Sequence, residues 1–196
     1  VGRYADLITS ISDDFCHRLH TFHKKPVLKI TNGFDIKDKI VKKNISNKSP
    51  VLKKRLRIIF TGSIYSEKPS PVMLLDAIVN LVKNKKIPEK SIIVEFYGSR
   101  LDHIKNLSQK SKYLNLIKIR GHVSRLEVLE EQKKANLLLL LASSKEISRG
   151  HLTGKIFEYM SAGRPILCIG GRTNFEIGQI LKTTNTGLVF EDHDIK

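Results

Sequence analysis

The sequence predicts an α/β protein built on a doubly wound parallel sheet. Three observations carry that reading. From Arg57 onward, short apolar runs at 57–61, 92–97, 117–120, 137–141, 166–169 and 187–190 alternate with stretches of helical character. Continuous apolar runs are what strands show when helices cover both faces of a sheet. Glycine closes the first three runs, at Gly62, Gly98 and Gly121. Finally, residues 153–167 read in order as a small polar turn, a helix, a Gly-Arg-Pro break and a buried strand. Alternating strand and helix imply right-handed crossovers and strands that run parallel.

Taken in order, residues 7–12 are expected as a short strand. Asp13 and Asp14 cap a helix that runs to about residue 22. Residues 27–30 form a second strand that runs into Thr31-Asn32-Gly33-Phe34-Asp35. Residues 36–56 are rich in Lys, Asn and Ser with one Pro, and read as a linker or exposed loop. In the regular region, helices are expected over 72–85, 101–112 and 125–134, after Thr153-Gly154, and over 175–181. A polar loop, 142–150, precedes the fourth of these.

The chain has 196 residues, 40% of them hydrophobic, enough for one full core or for one domain and a piece of another. A net charge of +16 points to phosphates, anionic lipid or nucleic acid as partners. The lysines are scattered, with clusters at 53–55 and 83–86, and scatter of this kind also serves plain solubility. The absence of Trp and of any RRM, KH or helix-turn-helix signature argues against a specific nucleic-acid interface. Cys16 and Cys168 fall in different elements and are expected as reduced thiols of a cytoplasmic protein. The longest apolar run, 137–142, is far short of the roughly 20 residues of a membrane span. Val1-Gly2-Arg3-Tyr4 leads straight into domain-like sequence with no signal peptide, and the missing initial Met is expected of a fragment.

Candidate chemistry concentrates after the strands. Thr153-Gly154-Lys155 at a helix start offers free backbone N–H groups and a lysine, and Glu158 adds a carboxylate one turn on. A nucleoside diphosphate needs that combination: donors for its phosphates and an acceptor for ribose hydroxyls. Gly62-Ser63 lets a ligand approach the backbone, and Lys68 can reach back to a phosphate; the plain alternative is a tight turn with a solvated lysine. Gly121-His122-Val123 fits a nucleobase edge or another turn. No Gly-x-Gly-x-x-Gly follows any strand, which disfavours NAD or FAD. His17, His20 and His23 line one helix face, but no carboxylate or cysteine completes a metal site, so they read as an exposed polar face. Glu146 and Arg149 either touch a sugar or are solvated.

These blocks, in this order and spacing, resemble the group 1 (family 4) retaining glycosyltransferases of the GT-B fold: Thr31 to Asp35, Gly62 to Lys68, Gly121 to Val123, Gly154 to Tyr159 and Ala162 to Leu167. The resemblance implies two Rossmann-like lobes across a cleft. Residues 57–196 would be the C-terminal, donor-nucleotide-binding lobe, and residues 1–35 the end of the acceptor lobe with the inter-domain crossing. Glu158 matches the second glutamate of the family's Glu-x7-Glu pattern, which holds the ribose. The first falls at Gly150, a departure. Lys68 matches the diphosphate lysine, so Lys68 and Glu158 are the catalytic candidates. Ser63 stands where the family often has arginine, and Lys155 is placed to supply that charge. Leu152, Thr153 and Gly154 match the backbone donors to phosphate, and Gly62, Gly121, His122 and Val123 match segments along the nucleotide.

The implied reaction moves a sugar from a UDP- or GDP-sugar to a glycan or glycolipid acceptor, with no metal or other cofactor. Positive groups and a helix dipole would stabilise the departing diphosphate. The acceptor would come through the missing N-terminal lobe, so this chain alone is expected to be inactive. The basic surface fits peripheral docking on the inner membrane face. Two other readings stand beside this one. The first is a non-catalytic basic module for nucleic acid or membrane. The second is a nucleotide-sugar 2-epimerase, whose base and carboxylates are not visible here.

Overall fold

The computed structural model describes residues 2–35, 55–64 and 69–191. The expected linker therefore lies outside the described residues, apart from its last two. There the reading is corrected, because Leu56 already pairs with Ile92 as the first residue of a strand. The main body is one six-stranded sheet made of β3 (Leu56–Thr61), β4 (Ile92–Tyr97), β5 (Ile117–Gly121), β6 (Leu137–Leu141), β7 (Ile166–Ile169) and β8 (Gly187–Phe190). All its pairings are parallel and the spatial order is β5-β4-β3-β6-β7-β8. The doubly wound α/β fold is thus present.

Helices cover both faces. They are α2 (Val72–Lys83), α3 (Asp102–Ser108), α4 (Arg125–Lys134), α5 (Gly154–Ala162) and α6 (Glu176–Thr184). Side chains alternate across β3, so Ile58 and Phe60 pack toward Leu75, Ile78 and Ile104, while Ile59 packs toward Ile156, Tyr159 and Leu181. The buried thiol of Cys168 sits in the second cluster, where burial pushes it up to about 12 and leaves it inert. Both cysteines are free thiols.

Helix ends follow capping chemistry. Ser124 Oγ accepts from Glu127 N–H, and α5 stops at Gly163 in the left-handed conformation. The expected helix over 101–112 is shorter. It ends at Ser108, and a separate turn, Ser111–Tyr113, swings the Tyr113 ring into the core. The expected helix over 175–181 is longer and runs to Thr184, where Asn185 in the left-handed conformation caps it.

Ahead of the main sheet lies a small unit: β1 (Ile8–Ser10), α1 (Asp13–His23) and β2 (Val27–Lys29), with β1 and β2 paired in parallel. Ser12 caps α1 through Phe15 N–H. The unit docks on the main body through the start of α1. Asp13 N–H donates to Glu176 Oε1 at 2.8 Å, Arg18 Nη2 donates to the Glu146 carbonyl at 3.0 Å, and Phe15 meets His151 edge-on. Around it Tyr4, Phe22, Leu28 and Ile30 are exposed, while Ile11 packs against the main core.

Candidate functional site

The sheet order reverses between β3 and β6, the point at which open parallel sheets form a ligand crevice beyond their carboxyl ends. The register shows how this crevice opens. β3 pairs with β4 over six residues, but with β6 only at Ile58↔Leu137 and Ile59↔Leu138. Beyond these pairs β3 and β6 part.

Glycine lines the rim because the loops crowd there. Gly98, at φ +136°, lies so close to Gly62 that a Cβ would stand 2.2 Å from the Gly62 carbonyl oxygen. Gly62, at φ +122°, leaves room for the Lys155 ammonium, which a Cβ would meet at 2.9 Å. A cleft of about 440 Å³ results, bordered by Ser63, Ser99, His122, Val123, Lys155 and Glu158. A second, of about 400 Å³, shares Ser63 and Lys155 and adds Thr153 and His151.

Lys155 sits between the two clefts. Its Nζ lies 4.1 Å from the centroid of the Phe60 ring, a cation–π arrangement. Among the described residues it has no hydrogen-bond or ion-pair partner. Burial pushes its pKa down to about 8 against the opposing pull of Glu158.

Glu158 is held firmly. Gln132 Nε2 donates to its Oε1 at 2.5 Å, and Arg125 Nη1 lies 3.3 Å from its Oε2. Behind it, Thr61 N–H donates to the Tyr159 hydroxyl at 3.0 Å, tying α5 to the end of β3. α4 is fastened by a second set of bonds. Arg57 bridges Glu95, which is 1% exposed, to Glu131 on α4, and Arg120 also holds Glu95. Burial alone would raise Glu131, but Arg57 and Lys134 hold it down at about 2.

The structure brings most of the expected site residues to this one end of the sheet. Gly62, Ser63, His122, Val123, Lys155 and Glu158 share the larger cleft, Thr153 borders the smaller, and Gly154 opens α5. Gly121 ends β5, where its carbonyl accepts from Gly98 N–H at 2.7 Å. The Leu152 side chain is in the core at 3% exposure, so it packs and does not line a cleft. Lys68 lies outside the described residues.

Glu146 and Arg149 pair with each other at 2.5 Å, and Arg172 approaches Glu146. Of the three histidines on α1, His20 pairs through Nδ1 with the Lys25 carbonyl, and His23 packs on Phe22. Among the described residues no group of three His, Cys, Asp or Glu side chains is placed to hold a metal ion, and no helix is long and apolar enough to cross a membrane.

Three contributors escaped the sequence reading. Gly98-Ser99 carried the same strand-then-glycine signal as Gly62 and Gly121. Gln132 and Thr61 carried none, since each looks like an ordinary polar residue until α4, α5 and β3 meet.

Gly150 is filled from outside. A Cβ there would stand 2.7 Å from both Phe15 Cδ1 and Ser12 Oγ, and 2.9 Å from Asp14 Oδ2. Position 150 is therefore the notch into which the start of α1 fits.

Comparison with known proteins agrees with this picture. The family described as glycosyl transferases group 1 matches residues 55–196. No curated protein matches the chain by sequence. Among solved structures, WaaG, a glycosyltransferase involved in lipopolysaccharide biosynthesis, superposes with a TM-score of 0.66 at 14% identity, covering 94% of this chain and 49% of that one. Anabaena Alr3699/HepE, solved with UDP and glucose, gives 0.66 at 18% identity over 98% of this chain and 51% of that one. S. aureus TarM, in a structure with UDP, gives 0.66 at 14% identity over 99% of this chain and 35% of that one. The chain thus spans between about a third and a half of these proteins, and likeness at such identities shows the fold alone.

Proposed function

The chain belongs to the group 1 glycosyl transferases, and from that premise we propose that its cleft binds the nucleoside diphosphate of a UDP- or GDP-sugar. In the reaction we propose, a two-lobed transferase moves a hexosyl group to a glycan or lipid-linked acceptor with retention of configuration. The observation that carries this reading is the pair on α5. Lys155 is a half-buried cation without a counter-ion among the described residues, and Glu158, one turn away, is a carboxylate fixed at the wall of the same cleft. An unpaired, desolvated cation is costly unless an anion arrives to meet it. A diphosphate is such an anion, and a ribose offers two hydroxyl donors to the carboxylate. HepE and TarM were solved with UDP, which supports the same ligand class here.

In the proposed reaction, charge develops on the diphosphate as the glycosidic bond breaks. Lys155 and the amides at the start of α5 would then bind the transition state better than the ground state. Lys68 would join them in the proposed reaction. The acceptor attacks from the same face as the departing diphosphate, and no protein nucleophile is needed. The +16 charge supports a cytoplasmic enzyme docked on an anionic inner membrane face. This chain by itself would bind donor without transferring sugar.

Calorimetric titration with UDP, GDP, ADP and inorganic phosphate tests the reading. Saturable binding of one nucleoside diphosphate, weakened about tenfold by Glu158→Ala, is expected; tenfold corresponds to about 1.4 kcal/mol. Binding that is phosphate-like, salt-sensitive and indifferent to Glu158 would sink it and leave only a basic surface.

A further inference from the structure

We propose that Gln132 is a positioning residue that sets the plane of the Glu158 carboxylate for two vicinal hydroxyls of the ligand. The inference rests on the nucleotide-binding reading above and adds to it a residue that itself lines neither cleft.

Gln132 is 0% exposed, on a helix whose only other buried residue is Leu129. A leucine would fill that place without burying an amide. The amide instead joins three elements, because Nε2 donates both to Thr61 Oγ1 of β3 at 3.0 Å and to Glu158 Oε1 of α5. Its own Oε1 is buried with no hydrogen-bond partner among the described residues, so the side chain is not there to satisfy itself. A buried polar group left partly unpaired in this way calls for a reason beyond packing.

The reason lies in the geometry of the carboxylate. The terminal torsion of a glutamate is broad, and a free carboxylate samples many planes. Two adjacent hydroxyls are recognised together only when both oxygens face them at once. Gln132 takes one lone pair of Oε1 from the buried side, and Arg125 approaches Oε2 from the exposed rim. The rotation is thereby fixed, and the remaining lone pairs are left to the cleft. Thr61 supplies the anchor, since its own N–H is bound to Tyr159 and it cannot drift from α5. Gln132 touches no ligand in this arrangement and acts only through Glu158.

The test compares UDP with 2′,3′-dideoxy-UDP, and GDP with its dideoxy form, by calorimetry on the full chain and on Gln132→Met, Gln132→Leu and Glu158→Ala. Methionine matches glutamine in shape, so Gln132→Met keeps the packing even if Gln132→Leu does not fold. The wild type is expected to prefer the ribose form about tenfold or more. In Gln132→Met that preference should shrink to about twofold, with affinity for the dideoxy form unchanged. Equal weakening of both ligands would show a merely structural role and overturn the inference. So would a preference kept by Gln132→Met but lost in Glu158→Ala, which would leave the nucleotide-binding reading intact. No ribose preference in the wild type overturns both.

Discussion

The docked face of α1 and the cleft at the carboxyl ends of the strands are both rich in charged side chains, and they handle charge in opposite ways. At α1 the charges answer one another. Asp13 pairs with Lys29, Asp14 with Arg18, Glu146 with Arg149, and Glu176 takes the Asp13 N–H. In the cleft, Lys155 has no hydrogen-bond or ion-pair partner among the described residues, and Glu158 is held from behind with its open side toward the space. The first pattern belongs to an interface that is complete as it stands. The second belongs to one that a ligand completes. A residue's type therefore does not separate structural from functional charge; its partners do.

The largest expected effect comes from forcing the two regions apart. Gly150→Glu puts a side chain into the notch held by Phe15 and Ser12, beside the Asp14 carboxylate. Overpacking of this kind costs about 1–3 kcal/mol. Chemical denaturation should show that loss, and amide exchange should quicken in α1 while β3, β4 and β6 keep their protection. The cleft does not use position 150, so UDP or GDP affinity should stay within about twofold. A large drop in affinity with α1 still docked would erase the division between the two regions.

That notch also shows where sequence reasoning ends. The strands were legible because apolar runs closed by glycine have one good explanation, and their alternation with helices read as a doubly wound parallel sheet, though the spatial order of its strands was not legible. Lys155 and Glu158 were legible because both sit in one contiguous block. Gly150 was visible as a departure, but its neighbours Ser12, Asp14 and Phe15 are more than 130 positions away and nothing local names them. Gln132 was hidden for the same reason, its partners lying on β3 and α5. Helix ends went wrong where packing overrode local preference. Tyr113 is pulled into the core past the end of α3, and α6 continues through two threonines beyond the buried Leu181 to the left-handed cap at Asn185.

A smaller effect, opposite in sign for stability and binding, is expected at Lys155. Lys155→Met removes a desolvated charge and keeps contact with Phe60, so stability at pH 7 should be no lower than the wild type's. Affinity for the nucleoside diphosphate should fall about tenfold, or about 1.4 kcal/mol. The wild type's own pH dependence sharpens the point. Lys155 titrates at about 8 when folded, against an ordinary 10.5. Between those values the unfolded chain binds more protons, so its contribution to stability rises with pH there. Ligand binding needs the charged form and should weaken as pH rises through about 8. Glu158, His122 and Arg125 share the cleft, so the assignment rests on Lys155→Met removing the slope. A slope that survives in that variant would place the sensitivity elsewhere.

The smallest effect should come from an ion pair at the complete interface. Lys29 Nζ lies 2.5 Å from Asp13 Oδ2, with the two side chains 41% and 72% exposed, and the pairing holds the lysine above its usual range. Short distance is not strength here, because water screens both groups and ordering them costs entropy. Exposed pairs are worth about 0.2–1 kcal/mol, and Asp13 keeps a favourable place in the first turn of α1 without its partner. Lys29→Ala should therefore cost about 0.5 kcal/mol or less in denaturant unfolding, a deficit that 0.5 M salt in both samples should shrink further. A cost above about 1 kcal/mol would mean that the pair fastens β2 to the start of α1 and so shapes the unit that docks, and does not merely decorate a fit made by Gly150 and Phe15. In that event the contrast would be one of strength, with paired charge supporting the fold and unpaired charge waiting for a ligand, and Arg18→Ala should then cost at least as much, since Arg18 also reaches the carbonyls of Glu146 and Ile147.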